Sequence, residues 1–342
     1  MLVFSVETSC DETSVCIMNN DKRILSHIIY SQQEHREFGG VIPELASRSH
    51  LQILQKISKE AINQANIELK EIDLFSATCG PGLIGGLLVG STFTKALAIG
   101  LNKPFVPINH LEGHLLSPTI NNDVHYPFIS FLLTGGHTQI YLVKDINDYE
   151  LLGETLDDAI GEAFDKVAKL LGMNYPGGAE LEKTAKNGNC FSYNLPQPLE
   201  RKKNLNFSFS GIKTAVNLIV QKNNNKSNNK KFISDVAASF QETIAQILES
   251  KFKLTHDELI KRNIHLKQIS LVGGVAANKY ILNKIQKLAK NFNYSVILPP
   301  KDMLSDNAAM IGWACIQKYQ KEPISDLYFE ENPRLQIVNN LK

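Results

Sequence analysis

The sequence has few cysteines, almost no excess of either charge and no long apolar run. Its five cysteines form no CxxC pair, which argues against a disulfide framework and against a structural zinc knot. The 36 basic and 35 acidic side chains leave a net charge of +1, so the chain as a whole has no strong attraction for nucleic-acid phosphate. Any contact with RNA must then come from a local patch or from a partner.

Targeting and membrane signals are also missing. No basic segment followed by an apolar one precedes the strand-like run LVFSVETS, so no signal peptide is predicted. Apolar stretches such as GLIGGLLVG are too short and too rich in glycine to span a membrane. Together with the scattered cysteines, these features predict a soluble, cytoplasmic protein.

What the sequence does contain is enough hydrophobic residues, 43% of 342, for a full core and enough length for two domains. Two patterns recur along it. The segments LVFSVETSCDETSVCIM and FISFLLTGGHTQIYLV each predict a hairpin with a polar tip. Residues 74–109 and 269–300 each predict a strand, a glycine-rich turn, a helix and a second strand. We therefore expect a duplicated α/β fold with a cleft between the halves.

The first half is expected at 1–125 and the second, with helical insertions, at 126–330, followed by a C-terminal tail at 331–342. The stretch KNNNKSNNKK at 222–231 contains no apolar residue and predicts a solvated loop. A basic tip that touches RNA is the alternative reading of this loop.

Two histidines stand out at the start of a predicted helix in NHLEGHLL. His110 and His114 are four residues apart, so both rings project from one face and can share one metal ion. The matching helix of the second half begins with Asp302 and Asp306, and the duplication predicts that the two helices face each other across the cleft. Two histidines and a carboxylate would leave coordination positions open, as a catalytic metal requires. Without the duplication, the pair reads as surface or capping histidines.

The spacing does not match the zinc-protease motif HExxH. Glu112 lies two residues after His110, about 200° round the helix, and is expected to point away from the metal face. A metallopeptidase then lacks its general-base glutamate.

Small and polar residues at several turns could meet a phosphate or a nucleoside. The first hairpin tip carries hydroxyls and carboxylates at residues 8–13, and the second carries Thr134–Thr138. Gly273–Asn278 follows an apolar strand and opens a helix, where amide groups can bind an anion. Glu182, one turn into a helix after YPGG, could accept the hydroxyls of a ribose. Taken alone, each hairpin tip is more often an ordinary polar turn, and a glutamate such as Glu182 is more often a solvated helix residue.

Read together, these segments resemble one family. The motifs ETSCDETSV, GPGLIGGLLVG, NHLEGH, LLTGGHTQ, DDAIGEAFDKVAKLLG, YPGG, FSFSGIKTA, LVGGVAAN and SDNAAMIGWA occur in the order found in the TsaD family of tRNA N6-adenosine threonylcarbamoyltransferases, formerly described as O-sialoglycoprotein endopeptidases. The match runs from about Val3 to about Ala314. Ile212, where leucine is commoner, is a minor departure. The family has the duplicated fold of actin, sugar kinases and Hsp70 ATPases.

The resemblance implies specific site residues. One divalent metal ion per subunit, iron (Fe²⁺) or zinc, would be bound by His110, His114 and Asp306. The adenylate of threonylcarbamoyl-AMP would be held by Leu133, Thr134, Gly135, Gly136, His137, Asp165, Gly178, Glu182 and Asn278. Glu7 and Asp11 would form a phosphate-side loop with a catalytic role.

The resemblance also implies an activity and partners. The threonylcarbamoyl group would pass from threonylcarbamoyl-AMP to N6 of adenosine 37 in tRNAs that read ANN codons, with release of AMP. The expected partners are tRNA, an enzyme that makes the adenylate, an inactive TsaB-like paralogue and a TsaE-like ATPase. The alternatives are a non-catalytic paralogue acting as a scaffold, a metallopeptidase, and a small-molecule kinase or carbamoyltransferase of the same superfamily.

Overall fold

The computed structural model describes residues 1–200, 202–223 and 229–337, which form two compact units. Unit 1 contains Met1–Asp123, Asp145–Tyr149 and the described chain from Pro299 onward, and unit 2 contains Val124–Lys144 and Glu150–Leu298. The middle of the predicted loop at 222–231 lies outside the described residues.

Unit 1 is built on a mixed sheet. Its strands are β1 (Leu2–Glu7), β2 (Glu12–Asn19), β3 (Ile24–Ser31), β4 (Leu74–Gly80) and β5 (Phe105–Asn109). They lie in the order β3-β2-β1-β4-β5. The hairpin strands β1, β2 and β3 pair antiparallel, whereas β4 is parallel to both β1 and β5.

A second sheet repeats this order. Its strands are β6 (Phe128–Leu133), β7 (Thr138–Asp145), β8 (Asp148–Glu154), β9 (Gln268–Val272) and β10 (Ser295–Ile297). They lie in the order β8-β7-β6-β9-β10, so each strand has the place of its counterpart in the first sheet. Here too the first hairpin, β6 with β7, is antiparallel, and β9 is parallel to both β6 and β10. The predicted duplication is confirmed.

Helices connect and flank the strands of the two sheets. They are α1 (Pro43–Ala65), α2 (Ile84–Leu101), α3 (His110–Leu116), α4 (Ile160–Leu170), α5 (Gly178–Ala185), α6 (Ser210–Lys222), α7 (Lys230–Lys261), α8 (Lys279–Asn291) and α9 (Ala308–Lys321). The strand–turn–helix–strand segments become β4-α2-β5 in the first sheet and β9-α8-β10 in the second.

Helices pack on both faces of the first sheet, because successive side chains of a strand point to opposite faces. Phe4 of β1 belongs to a buried core with Leu54 of α1 and Ala98 of α2. The next residue, Ser5, points to the other face, where its hydroxyl donates a hydrogen bond of 2.7 Å to the carbonyl of Ala308 at the start of α9. Helices α1 and α2 therefore lie on one face and α9 on the other.

The position of α9 differs from the predicted division of the chain. Residues 299–330 were expected in the second half, but they group with unit 1. The physical reason is close packing of α9 on the first sheet: a Cβ at Gly312 would lie 2.7 Å from Ser5 Oγ and 3.0 Å from Met18 Sδ. Asp306 thus lies in the same compact unit as His110 and His114, and the expectation that it comes from the other half is wrong.

The first part of the predicted tail at 331–342 also packs on unit 1. The N–H of Asn332 donates to the carbonyl of Cys79 at the end of β4, at 2.9 Å. Glu331 forms an ion pair of 2.7 Å with Lys95 of α2, and both side chains are largely buried. Residues 338–342 lie outside the described part of the chain.

One described helix, α2, is long and apolar enough to cross a membrane, judged by length and composition alone. Its buried residues include Gly86, Leu87 and Ala98, and it packs against α1 and β4. Other apolar residues of the helix, Ile84, Leu88 and Ile99, are exposed.

Candidate metal centre and nucleotide cavity

The helix that carries both histidines begins immediately after β5. Asn109, the last residue of that strand, caps it: the side-chain oxygen accepts hydrogen bonds from the N–H groups of Leu111 at 2.9 Å and Glu112 at 3.4 Å. Asparagine is among the residues preferred at this position because its side chain satisfies N–H groups that have no partner within the helix. The cap makes His110 the first helical residue and places His114 one turn later on the same face.

Close packing of two helices brings the third residue to the histidines. A Cβ at Gly113 of α3 would lie 2.9 Å from Ile311 Cδ1 and 3.1 Å from Met310 Cγ, both on α9. Asn307 caps α9 through a hydrogen bond of 2.9 Å from the N–H of Met310. Asp306 directly precedes that cap, so the start of α9 presents its carboxylate to α3.

The three side chains converge on one point. Asp306 Oδ1 lies 3.0 Å from His114 Nε2 and 3.4 Å from His110 Nε2. The two rings are perpendicular, with centroids 4.9 Å apart, and one ligand atom from each residue lies within 4.8 Å of the others. Asp302, the other acidic residue of this segment, is exposed and does not belong to the group.

A buried carboxylate supports His110 from behind. His110 Nδ1 lies 3.1 Å from Glu7 Oε2 and 3.2 Å from Ser9 Oγ. Glu7 is itself fully buried, and it accepts hydrogen bonds from the N–H of Ser9 at 2.6 Å and from the hydroxyl of Thr78. Histidines that bind metal through one nitrogen commonly hydrogen-bond a carboxylate through the other, which fixes the ring. Glu7 occupies that supporting place.

The charges of the cluster act on one another. Burial lowers the pKa of His110, but Asp306 and Glu7 more than offset it and leave that pKa well above its ordinary value. Burial raises the pKa of Asp306, and the two imidazoles reverse this and hold it well below its usual range. The pKa of His114 is lowered, first by burial and also by the charge of His110. Asp306 is therefore ionised, and a proton on His110 balances its charge.

The donor set fits a divalent ion. Two imidazole nitrogens and one carboxylate oxygen are ligands that zinc and non-haem iron both take, and three protein ligands leave positions open for a substrate. The second nitrogen of His110 already has its supporting carboxylate. In His114, Nε2 faces Asp306 and is therefore the nitrogen available to an ion. The other ring nitrogen, Nδ1, is buried and has no hydrogen-bond partner among the described residues.

Glu112 points away from this site, as predicted. Its carboxylate accepts a hydrogen bond of 2.8 Å from the hydroxyl of Tyr149 and forms an ion pair of 2.8 Å with Lys318. The side chain is 3% exposed. Both carboxylate oxygens are thus engaged by side chains other than the metal ligands.

The tip of the first hairpin, Thr8–Asp11, is arranged differently from the expectation that its hydroxyls are offered to a phosphate. The Thr8 hydroxyl donates to the carbonyl of Gly86 at 2.9 Å, and the Ser9 hydroxyl faces His110. Both residues are buried because the tip packs against the glycine-rich start of α2, where the N–H of Leu83 donates to the Ser9 carbonyl at 2.7 Å. These hydroxyls therefore make their contacts inside the protein.

Asp11 and Glu12 remain half-buried at the end of the hairpin. The pKa of Glu12 is raised well above its ordinary value by burial and by the charges of Asp11 and Asp306. The end of the hairpin therefore lies close to the metal ligands and is rich in carboxylates.

Unit 2 contains a separate cavity of about 270 Å³. Five of the residues expected to hold an adenylate line it: Gly135, Asp165, Gly178, Glu182 and Asn278. The remaining lining residues are Gly161, Phe164, Pro176, Ala179, Gly274, Val275 and Ala277. The cavity is thus mostly apolar, with two carboxylates and one amide at its wall.

Glycines allow the backbone segments around this cavity to approach closely. Gly273 has a φ of +91°, and a Cβ there would lie 2.5 Å from the carbonyl oxygen of Leu133. A Cβ at Gly161, in the first turn of α4, would lie 2.8 Å from the carbonyl oxygen of Thr134. The end of β9 and the start of α4 therefore both pack against the tip of the β6–β7 hairpin, which carries Gly135 into the cavity wall.

The polar residues of the cavity are partly engaged already. Asn278 caps α8 by accepting from the N–H groups of Tyr280 at 3.0 Å and Ile281 at 3.1 Å, and its amide donates to Gln241 at 2.9 Å. Glu182 accepts from the N–H of Lys279 at 3.1 Å, which uses one carboxylate oxygen and leaves hydrogen-bonding capacity on the side chain.

Asp165 and Thr134 form hydrogen bonds that hold the backbone near the cavity. Asp165 accepts from the N–H of Gly177 at 2.8 Å, which fixes the turn before α5. Leu133 is fully buried, and the hydroxyl of Thr134 accepts from the N–H of His137 at 2.9 Å and closes the hairpin tip. Leu133, Thr134, Gly136 and His137 do not line the cavity.

Some lining residues were not picked out from the sequence. Phe164 and Ala179 carry no polar group that would mark them as ligands of a nucleotide. Only their positions next to predicted site residues could have indicated them. Phe164 adjoins Asp165 on α4, and Ala179 follows Gly178 at the start of α5.

Comparison with known proteins identifies the family to which the chain belongs. A family model described as TsaD, tRNA N6-adenosine threonylcarbamoyltransferase, matches residues 23–313. A tRNA N6-adenosine threonylcarbamoyltransferase of Rickettsia rickettsii (strain Sheila Smith) is 45% identical over 343 residues, covering 99% of each chain. One of Wolbachia pipientis wMel is 44% identical over 335 residues, covering 98% of each chain.

Among solved structures, T. kodakarensis HypF superposes with a TM-score of 0.57 at 15% identity, over 94% of this chain and 48% of that one. This likeness supports the duplicated fold of actin, sugar kinases and Hsp70 ATPases, and at that identity it supports the fold alone. The family model and the near full-length identity go further: the chain belongs to the TsaD family of tRNA N6-adenosine threonylcarbamoyltransferases.

Proposed function

We propose that the chain transfers the threonylcarbamoyl group of threonylcarbamoyl-AMP to N6 of adenosine 37 in tRNAs that read ANN codons. The observation that carries the proposal is the convergence of His110, His114 and Asp306 in a member of a transferase family. Three ligands with open positions are what a catalytic metal requires, whereas a structural metal is usually fully enclosed by protein ligands.

The ion that these residues would hold is Fe²⁺ or Zn²⁺, because both accept two imidazoles and a carboxylate. Bound there, it would supply Lewis-acid polarisation of the substrate oxygens on which negative charge develops. Glu7 would keep the ring of His110 oriented with Nε2 toward the ion. Asp11 would lie on the phosphate side of the substrate.

The cavity of unit 2 is the place proposed for the adenylate portion of the donor. Phe164 and Val275 offer apolar surface for an adenine ring, and the Glu182 carboxylate can accept hydrogen bonds from ribose hydroxyls. Gly135 brings backbone into the wall without a side chain, so that a polar group of the ligand can come close to the N–H groups of the hairpin.

The chemistry is an acyl-type transfer. The N6 nitrogen attacks the carbamoyl carbon, the bond from that carbon to the phosphate oxygen breaks, AMP leaves with the electron pair, and N6 loses a proton. An exocyclic amine of adenine is a weak nucleophile, so the protein must orient it and stabilise the charge that develops. We assign no side chain as general base.

The alternatives find less support. A non-catalytic scaffold paralogue has no use for a three-ligand site. A metallopeptidase needs a general-base carboxylate beside the ion, but Glu112 is engaged with Tyr149 and Lys318. A small-molecule carbamoyltransferase would use the same chemistry on another acceptor, and product analysis separates it.

Partners complete the proposal. The nearly neutral net charge of +1 supports docking of tRNA through a local patch or a partner rather than by overall attraction. A TsaB-like paralogue, a TsaE-like ATPase and an enzyme that makes the adenylate are the partners proposed, in a cytoplasmic setting.

The test is mass spectrometry of tRNA nucleosides after incubation with threonine, bicarbonate, ATP and the partner enzymes. Threonylcarbamoyladenosine should form with the intact chain and not with Asp306→Asn. Modification of a small acceptor in preference to tRNA, or equal tRNA modification by the Asp306→Asn chain, would contradict the proposal.

A further inference from the structure

A buried polar network lies beneath α1, beside the tip of the first hairpin. Its centre is His50, which is fully buried. One ring nitrogen, Nε2, lies 2.9 Å from the carbonyl oxygen of Cys10, and the other, Nδ1, lies 2.8 Å from Thr13 Oγ1 and 3.3 Å from Gln32 Nε2. Buried polar groups of this kind stabilise a single arrangement only when every member has its partner.

The chemistry of the partners fixes which nitrogen carries the proton. The Cys10 carbonyl can only accept, so Nε2 of His50 is the donor and Nδ1 of the neutral ring is the acceptor. Burial lowers the pKa of His50, which keeps the ring neutral. The Thr13 hydroxyl, at 2.8 Å, donates to the single lone pair of Nδ1, and the Gln32 amide at 3.3 Å is a second, weaker donor to it. The tautomer that serves Cys10 is therefore the one that the rest of the network stabilises.

A second buried histidine extends the chain of hydrogen bonds. The N–H of Ile42 donates to His35 Nδ1 at 3.3 Å, which leaves His35 Nε2 to donate to Gln32 Oε1 at 2.8 Å. The amide nitrogen of Gln32 is then directed to the carbonyl of Ala46 at 3.3 Å and to His50. Every donor in this series of hydrogen bonds has an acceptor. The segment before α1 therefore fixes the orientation of the His50 ring.

The atom that His50 holds adjoins the metal centre. Cys10 follows Ser9 in the hairpin tip, and Ser9 contacts both His110 Nδ1 and the supporting carboxylate of Glu7. Helix α2 packs against both the tip and His50, since a Cβ at Gly86 would lie 2.2 Å from the carbonyl oxygen of Thr8 and 3.2 Å from His50 Nε2. The tip is therefore held by packing against α2 and by the hydrogen bond from His50.

We propose that His50 is a positioning residue, which holds the hairpin tip, and through it His110, in the orientation that binds metal. The proposal rests on the metal site of the proposed function. His50 touches neither metal nor substrate. Its substitution should lower metal affinity even where the fold is kept, because the support behind His110 loses its anchor.

The experiment is titration of the metal-free chain with Co²⁺, a spectroscopic substitute for iron or zinc, followed by its visible absorption. His50→Leu introduces an apolar side chain of similar bulk, removes the donor to Cys10 and should weaken Co²⁺ binding by about tenfold or more. The spectrum at saturation should also change, since His110 is less well oriented. His50→Gln restores an N–H donor and should recover most of the affinity.

Leu54→Ala is the matched control. Leu54 lies one turn further along α1 and is 2% exposed, so its truncation destabilises the same helix without touching the hairpin tip. It should lower the melting temperature and leave Co²⁺ affinity unchanged. If His50→Leu does not fold, Thr13→Val, which removes the hydroxyl at Nδ1, should shift affinity in the same direction.

Three results would overturn the proposal. They are unchanged Co²⁺ affinity in a folded His50→Leu chain, an equal loss of Co²⁺ affinity in Leu54→Ala, and no recovery of Co²⁺ affinity in His50→Gln. Failure of the metal site itself is distinguishable, because the unchanged chain would then bind Co²⁺ no better than Asp306→Asn.

Discussion

Gly113→Ala probes the contact that brings the metal ligands together. The added methyl group would lie 2.9 Å from Ile311 Cδ1 and 3.1 Å from Met310 Cγ, closer than carbon atoms approach without cost. Overpacking of this kind costs about 1–3 kcal/mol, while replacing a helical glycine by alanine returns up to about 1 kcal/mol. We therefore expect a net loss of stability of about 0–3 kcal/mol, the difference of these two ranges.

Metal binding should be weakened as well. Ile311 Cδ1 ends a flexible side chain and can move aside, but Met310 Cγ lies close to the backbone of α9. The methyl group should therefore press α9 from α3 and separate Asp306 from the two histidines. Affinity for Co²⁺ should fall about tenfold or more, as for other changes that disturb the orientation of metal ligands. Calorimetric titration of the metal-free chain measures this, with urea unfolding measured in parallel.

Gly100→Ala is the control for helix propensity. Gly100 lies near the end of α2, and a Cβ there has no described atom within 4 Å. This variant should be slightly more stable, with unchanged metal affinity. The reasoning is refuted if Gly113→Ala binds Co²⁺ as tightly as the unchanged chain, or if Gly100→Ala loses affinity equally.

Three further predictions follow from the site. Glu112→Ala should lower the free energy of unfolding by about 3 kcal/mol in urea, because Lys318 loses its buried partner; an unchanged midpoint would show that this ion pair contributes little. Glu182→Ala should weaken binding of the adenylate by about 1–3 kcal/mol in calorimetry and leave metal content unchanged, and loss of metal together with nucleotide would mean that the two sites are not separate. The raised pKa of His110 keeps a proton on the ring, and a bound metal must displace that proton. The affinity for Co²⁺ should therefore fall as the pH is lowered below that pKa, and binding near neutral pH should release about one proton. Titrations in buffers of different ionisation enthalpy count that proton, and a pH-independent affinity would contradict the charge balance.

The duplication could be read from the sequence because it rests on local patterns. The alternation in LVFSVETSCDETSVCIM and FISFLLTGGHTQIYLV sets the hairpins, and the glycine-rich turns set the strand–helix connections. The histidine pair was likewise visible, because a spacing of four residues places two rings on one face of any helix.

The assignment of Asp306 to the second half failed because sequence order does not reveal which sheet a helix packs on. Helix α9 follows β10 in the chain, but its small Gly312 fits against Ser5 and Met18 of the first sheet. Nor does a sequence show whether a hydroxyl is free. Ser9 belongs to the polar hairpin tip and still turns inward, because the tip packs on α2.

The supporting role of Glu7 and the network around His50 are tertiary in origin. Glu7 is 103 residues from His110 in the chain, and His50 is 40 residues from Cys10. No periodicity or spacing connects such residues, and only the packed sheet and helices bring them within hydrogen-bonding distance.

The metal bound per chain in Asp306→Asn and Asp302→Asn tests the central claim most directly. The two residues lie four positions apart in the same segment, but only Asp306 contacts the histidines, whereas Asp302 is exposed. Elemental analysis after equilibration with Fe²⁺ or Zn²⁺ should find about one ion per chain in the unchanged protein and in Asp302→Asn, and much less in Asp306→Asn. A full complement of metal in Asp306→Asn, or its loss in Asp302→Asn, would contradict the three-ligand site.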